Sequence, residues 1–318
     1  MMNHIYFLSC EKTGGIYHYL FENGKFQYLE KIQLDRPMYA IIRDNKMYVI
    51  IREIDTKTHF GGILAFDIAE KGNLKNSTKI ENTNGIVPCH LEVTDNGHYV
   101  VNYLSGNIVK ICEKTVTHEG KGVHPTRQEA AHTHYVCASL DKKHILCTDL
   151  GIDTIFVYDI DLNEEFAVKV PDGSGARHLC FSENGKYLYC VNELSNDVSV
   201  FEWNKGKPLF KNTYSAIPDF DGESTAAAIR IKGEYLYISN RGADTISRFK
   251  IIGEKLELLE NTFCGGKGPR DFNIIDDYII CANENSDNVT LLKLENGKPV
   301  LLDENIEIGS PLCVIGGI

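Results

Sequence analysis

The sequence predicts an all-β fold, a seven-bladed β-propeller of four-stranded antiparallel blades. Three observations predict it. One phrase recurs: a short apolar run, a polar end, a turn rich in Asn, Asp, Ser or Gly, and a second apolar run. Its clearest copies span 187–201, 235–249 and 278–292. A four-residue marker also recurs: Arg-Pro-Met-Tyr (36–39), Val-Pro-Cys-His (87–90), Ala-His-Thr-His (131–134), Gly-Ala-Arg-His (175–178), Ser-Thr-Ala-Ala (224–227), Gly-Pro-Arg-Asp (268–271) and Ser-Pro-Leu-Cys (310–313). The last positions of these seven markers lie 51, 44, 44, 49, 44 and 42 residues apart. Repeats of about 40–50 residues, each holding several short strands, indicate propeller blades. The third observation is that the two ends are complementary halves of one repeat.

The strands of a unit follow in order. Leu179, Cys180 and Phe181 form a short apolar run. Residues 182–186 make a hairpin turn, with Asn184 and Gly185 tolerant of positive φ. Residues 187–191 are the second strand, 192–196 a polar loop and 197–203 the third strand. Residues 204–207 turn into a fourth. At the N-terminus, 4–8 and 15–19 already read as second and third strands, although the first marker comes only at 36. The last marker has no blade after it. The C-terminal strand therefore completes the N-terminal blade, which leaves no open sheet edge in the ring. Residues 1–318 read as one domain.

Composition narrows the function classes. The chain is 43% hydrophobic and 24% charged, with a net charge of −11. Binding to nucleic acid or an anionic membrane has little electrostatic support. An anionic substrate needs a local basic cluster against that background. Several of the ten cysteines (Cys147, Cys180, Cys190, Cys281) sit inside apolar strands, and no Cys-x-x-Cys occurs, so they read as reduced small hydrophobes. The N-terminal apolar run of about five residues is shorter than a signal segment needs. The expectation is a cytoplasmic protein. A closed ring needs no partner, so monomer is the default.

Blade geometry also says where a site belongs. The innermost strand starts, and the second strand ends, at the same face of the disc. One mouth of the channel therefore gathers Tyr39, His90, His132, His134, Arg177, His178, Arg270 and Asp271 from the markers. The second-strand ends add Arg52, Glu53, Asn102, Asp149, Asn192, Glu193, Asn240, Arg241, Asn283 and Glu284. The Asn or Asp at 102, 149, 192, 240 and 283 recurs from blade to blade and reads as turn structure. The residues beside them differ: Tyr103, Leu150, Glu193, Arg241, Glu284. Difference at an equivalent position is the mark of an asymmetric site. His132 and His134, two apart on an incipient strand, can share a face. With His90 and His178 nearby a metal is conceivable, but no ligand spacing beyond His-x-His supports one, so neither metal nor cofactor is expected. Each residue taken alone has a bland reading: a histidine caps a strand, and Glu193 and Arg241 pair across blades. Taken together, Arg52, Arg177, Arg241 and Arg270 suit a small anion with carboxylate or phosphate groups.

At this point a resemblance is evident. Residues 175–201, Ser239-Asn240-Arg241, Gly-Pro-Arg-Asp-Phe at 268–272 and His132-Thr133-His134 resemble the seven-bladed propeller lactonase family. That family includes the propeller-type bacterial 6-phosphogluconolactonases and the fungal carboxy-muconate lactonizing enzymes. The resemblance runs over the whole chain and is most specific from 130 to 292. It implies His134, Arg177, Glu193 and Arg241 as catalytic residues. Arg52, His90, His132, His178, Asn192 and Arg270 stand beside them as candidate substrate contacts. It also implies metal-free hydrolysis of 6-phosphogluconolactone. In that scheme Arg177 and Arg241 hold anionic groups and the oxyanion, and either His134 or Glu193 activates water. A carboxylate beside two arginines is the weaker base, which favours His134 as base and Glu193 as orienter. Three departures stand out. The first two blades match poorly, Gly-Ala-Arg-His replaces Gly-Pro-Arg-His, and the Ser-Thr-Ala-Ala marker offers blade 6 little chemistry. The alternatives are a carboxy-muconate type lactonase or lactonizing enzyme and a non-catalytic scaffold propeller. The single Trp203 leaves no Trp-Asp series for a scaffold of that type.

Overall fold

The computed structural model describes residues 3–76 and 78–316. Seven antiparallel sheets follow one another around a ring. Blade 1 is built from both ends of the chain. Its innermost strand is Pro311–Gly316, followed outward by Asn3–Ser9, Gly15–Glu22 and Lys25–Gln33. The join is a regular ladder, Ile5 opposite Gly316, Phe7 opposite Val314 and Leu8 opposite Cys313. Blade 2 has Pro37–Arg43, Lys46–Ile51 and Phe60–Ile68, with an outer edge in two pieces, Leu74–Asn76 and Glu81–Ile86. The innermost strands of blades 3 to 7 are Pro88–Thr94, Thr133–Ala138, Ala176–Phe181, Thr225–Lys232 and Pro269–Ile275. Their second strands are Gly97–Asn102, His144–Asp149, Tyr187–Asn192, Tyr235–Arg241 and Tyr278–Asn283.

The burial pattern explains why the sequence reads as it does. A second strand is covered on both faces by neighbouring blades, so Tyr187–Asn192 is buried at every position. An outer strand is covered on one face only, and Lys298–Glu307 largely alternates with a period of two. The core is one apolar cluster per blade junction. Between blades 5 and 6, Tyr189, Val191, Val198 and Val200 meet Ile229, Leu236, Ile238 and Phe249. At the closing junction Ile5, Phe7, Phe21 and Val314 meet Ile280, Ala282, Val289 and Leu291. Each fully buried Leu, Ile, Val or Phe stabilises such a junction by about 1.5–3 kcal/mol. Tight hairpins set the register of the outer strands. The Lys205-Gly206 turn has φ of 50° and 87°, the doubly positive turn that matches strand twist. All ten cysteines are free thiols.

One irregularity positions the site. In every blade the ladder between innermost and second strand shifts at the mouth. In blade 5 Ala176 faces Asn192 and His178 faces Val191, so Arg177 is an extra residue with no partner opposite. The same step leaves His134 unpaired in blade 4 and Arg270 in blade 7. A bulge of this kind turns one side chain out of the pleat. Blades 1, 2 and 3 put Leu312, Met38 and Cys89 at the equivalent position. Blade 6 puts Ala227 and Ala228 there, so four of the seven bulges are apolar or sulfur-bearing and three, in blades 4, 5 and 7, carry the basic chemistry. The ladder also corrects the register read for blade 4. His134, not Thr133, is the equivalent of Arg177, so that marker sits one residue too early.

Candidate active site

Glu193 is the centre of the cluster. It follows the second strand of blade 5, and its backbone is held from both sides. Its N–H donates to Gly175 O (2.8 Å), and its carbonyl accepts from Ala226 N (3.1 Å). The side chain is 3% exposed. Oε2 accepts from Arg177 Nε at 2.8 Å and pairs with Arg241 Nη2 at 2.9 Å, while His134 Nε2 lies 4.0 Å away. Oε1 accepts from Arg127 Nη2. Burial alone would raise this carboxyl. The charges of Arg241, Arg177 and Arg127, with His134, overcome it and hold the group well below the usual carboxylate range.

The arginines are oriented by main chain. Arg177 Nη1 donates to Ala227 O at 2.6 Å and approaches His178 Nε2 at 3.0 Å. Arg241 closes the second strand of blade 6 and donates to Thr225 O and Ala226 O at 3.4 and 3.2 Å. The Ser-Thr-Ala-Ala marker therefore has a task that its side chains do not show: its carbonyls hold both arginines. Among the described residues Arg177 Nη2 and Arg241 Nη1 have no hydrogen-bond partner, which leaves donors for a ligand. Burial lowers Arg177, and so does the Arg241 charge, while Glu193 pulls the other way.

His134 is buried, and its Nδ1 has no protein partner. Burial, then the Arg177 charge, push its pKa well below 6.5, against the pull of Glu193. It is neutral at neutral pH. His178 and His90 continue inward from it, with ring centres 5.4 Å (His134 to His178) and 5.7 Å (His178 to His90) apart. Both are pushed down by burial first and by neighbouring arginines second. His178 Nδ1 and His90 Nε2 also have no protein partner, and Tyr39 packs on the His90 ring at 4.2 Å and Tyr135 on the His178 ring at 4.8 Å. Among the described residues no three His, Cys, Asp or Glu are placed to hold a metal ion.

The structure brings together His134, Arg177, Glu193 and Arg241, keeps His178 against Arg177 with His90 beyond it, and gives His132, Asn192, Arg270 and Arg52 other surroundings. His132 is turned away, stacked on Tyr103 at 4.5 Å, with Tyr103 O at 3.0 Å and Glu129 Oε1 at 3.2 Å. It does not share a face with His134, because it precedes the strand. Asn192 is fully buried, and its amide donates to Asp197 at 2.5 Å and Ser199 at 2.9 Å. It fastens the turn and does not face the mouth. Arg270 pairs with Glu284 at 3.0 Å and is a quarter exposed. Arg52 is half-buried near Cys10 and has no ion-pair partner among the described residues. The residue that sequence reading missed is Arg127. It lies on the loop 118–132, outside any repeat position, so only its being an arginine in a long inter-blade excursion could have marked it.

A cleft of about 760 Å³ opens above the cluster, lined by Arg127, Arg241, His124, Leu194, Asn196, Ser224, Thr225 and Glu284 among others. Its wall is mostly hydroxyl, amide and charged groups. Ring and cluster together define a β-propeller with a polar, charged cleft at one mouth of its channel. The chain belongs to the seven-bladed β-propeller lactonase family, which it matches over residues 4–315. It is 33% identical to an uncharacterised Staphylococcus aureus protein, over 96% of this chain and 97% of that one. A solved structure from Lactobacillus plantarum superposes with a TM-score of 0.89 at 27% identity, covering 99% of each chain. A candidate 6-phosphogluconolactonase from Bacteroides fragilis gives 0.89 at 25% identity, over 99% of this chain and 98% of that one.

Proposed function

We propose that this protein hydrolyses an anionic sugar lactone, 6-phosphogluconolactone first among the candidates, at the mouth that holds Glu193. The observation that carries the proposal is a single carboxylate shared by three guanidiniums beside a neutral imidazole. Three guanidiniums surround the single Glu193 carboxylate, and the nearby Glu284 carboxylate is paired with Arg270, so the cluster itself favours an anion in an otherwise acidic protein. A polar cleft wall suits a polyol. The name of the Bacteroides fragilis relative points the same way.

The chemistry follows from the donors. Neutral His134 takes a proton from water as the water oxygen attacks the lactone carbonyl. Glu193 is fully ionised and a poor base, and it steadies the imidazolium that forms. The free N–H groups of Arg177 and Arg241 receive the developing oxyanion. When the ring C–O bond breaks, the imidazolium returns its proton to the leaving alkoxide, and the product acid then ionises. Removing one oxyanion donor typically costs about 10²–10³ in rate, and general base catalysis contributes about 10²–10⁴.

The test is the decay of freshly generated 6-phosphogluconolactone, followed against its spontaneous hydrolysis. Acceleration by the wild type that Arg177→Ala and Arg241→Ala lose supports the proposal. Folded wild-type protein that gives only the background rate removes it.

A further inference from the structure

Arg127 differs from the other two arginines on Glu193. Arg177 is 2% exposed and Arg241 16%, whereas Arg127 is 37% exposed and forms part of the cleft wall. Arg177 and Arg241 share Oε2, so Oε1 is the Arg127 site alone. Glu193, Arg177 and His134 are all buried. A ligand entering the cleft meets the Arg127 and Arg241 guanidiniums before it can reach the carboxylate or the imidazole.

The main chain beneath Arg127 is anchored. The neighbouring Gln128 is fully buried, and its amide donates to Leu150 O and Asp153 Oδ1, both at 2.8 Å. Its Oε1 accepts from His124 N at 3.0 Å, and its backbone bonds Gly122 and His124. Thus the base of the side chain is fixed while its guanidinium lies at the edge of the solvent. It can rotate from Glu193 to another anion without moving the loop. Tyr103, whose ring is stacked on His132, lies beside the same guanidinium.

We infer that Arg127 is the specificity-determining residue of this site: its guanidinium takes the anionic group of the lactone and in doing so uncovers Oε1 of Glu193. This rests on the lactonase reading and deepens it. A planar guanidinium presents two parallel N–H groups, which match a phosphate or carboxylate edge better than a neutral hydroxymethyl group. The lactone's charged arm therefore exchanges with Glu193 for a single partner. A neutral lactone has nothing to offer in that exchange.

The experiment compares kcat/KM for 6-phosphogluconolactone and for uncharged gluconolactone in the wild type, R127M and R127K. The expected result is that R127M lowers the preference for the phosphorylated lactone by about 10- to 100-fold, the worth of one charged hydrogen-bonding partner. R127K, which keeps the charge but not the fork, falls in between. Binding of the product 6-phosphogluconate, against gluconate, gives a second readout by calorimetry and follows the same order. If R127M lowers both lactones by one factor and the ratio stays put, Arg127 only supports Glu193 and the inference is wrong. If the folded wild type turns over neither lactone, the lactonase reading itself fails and takes this inference with it.

Discussion

Three imidazoles, His90, His134 and His178, are buried at the channel and held neutral. In the unfolded chain each returns to a pKa of about 6.5. Between pH 7.5 and 5.5 the unfolded state therefore binds protons that the folded state does not. Stability rises with pH where the unfolded state binds more protons, so here it falls as pH falls below about 6.5. The magnitude is RT ln[(1 + 10)/(1 + 0.1)], which is about 1.4 kcal/mol per histidine over that interval and about 4 kcal/mol for the three. A typical domain has about 5–15 kcal/mol in all, so the loss is a large share. The perturbation is His90→Gln, the member of the row most distant from Glu193. Gln supplies an oxygen for Val136 N, which now lies 3.5 Å from His90 Nδ1. Urea unfolding of wild type and variant at pH 7.5, 6.5 and 5.5 is the assay. Other titrating groups contribute equally to both proteins and cancel in the difference. The variant is expected to lose about 1.4 kcal/mol less than the wild type between pH 7.5 and 5.5. Parallel pH dependences in the two proteins would refute the reasoning.

Three further outcomes are expected. Glu193→Gln leaves Arg127, Arg177 and Arg241 uncompensated at a buried centre, and thermal melts should show a loss of about 3–5 kcal/mol together with loss of lactone turnover. His134→Asn should abolish the acid limb of the pH–rate profile and lower the plateau by about 10²–10⁴; a surviving plateau and limb would remove His134 as base. Deleting Pro311–Gly316 strips blade 1 of its innermost strand and the closing junction of Val314. Circular dichroism melts should then lose their single cooperative transition, and a wild-type melt from the truncated chain would count against ring closure as the main tie.

Much of this structure was legible because the repeat obeys simple periodicities. The second strands are buried on both faces and read as apolar runs, while the turns between them carry Asn, Asp and Gly. Laying the copies in register exposed Glu193 and Arg241, which differ from their equivalents, and these two proved to be in contact. The failures have physical causes. Asn192 occupies a recurring fastener position like Asn240, whose amide likewise holds Thr245 and Ser247. That pattern excludes it from ligand binding. In blade 4 two histidines two residues apart fit the marker equally well, and only the ladder at Thr133 and Asp149 decides between them. Arg127 has no equivalent in other blades, since its loop is not part of the repeat. The carbonyls of Thr225, Ala226 and Ala227 left no trace in side-chain identity.

The closing strand has a consequence for the order of events during synthesis. Blade 1 begins at Asn3–Ser9, yet its innermost strand is the last one made. For most of translation, then, the nascent ring has an unpaired inner edge at Asn3–Ser9 next to an uncovered apolar face of Ile5, Phe7 and Phe21. The face waits for Ile280, Ala282, Val289 and Leu291 of blade 7, and the edge for residues 311–316. Blades 2 to 6 can form as they emerge, but the finished mouth, with blades 5 and 7 at their final separation, must await that late stitch. The interval is when the chain most needs a chaperone's shelter, and it ends abruptly, with the final six residues of the ladder.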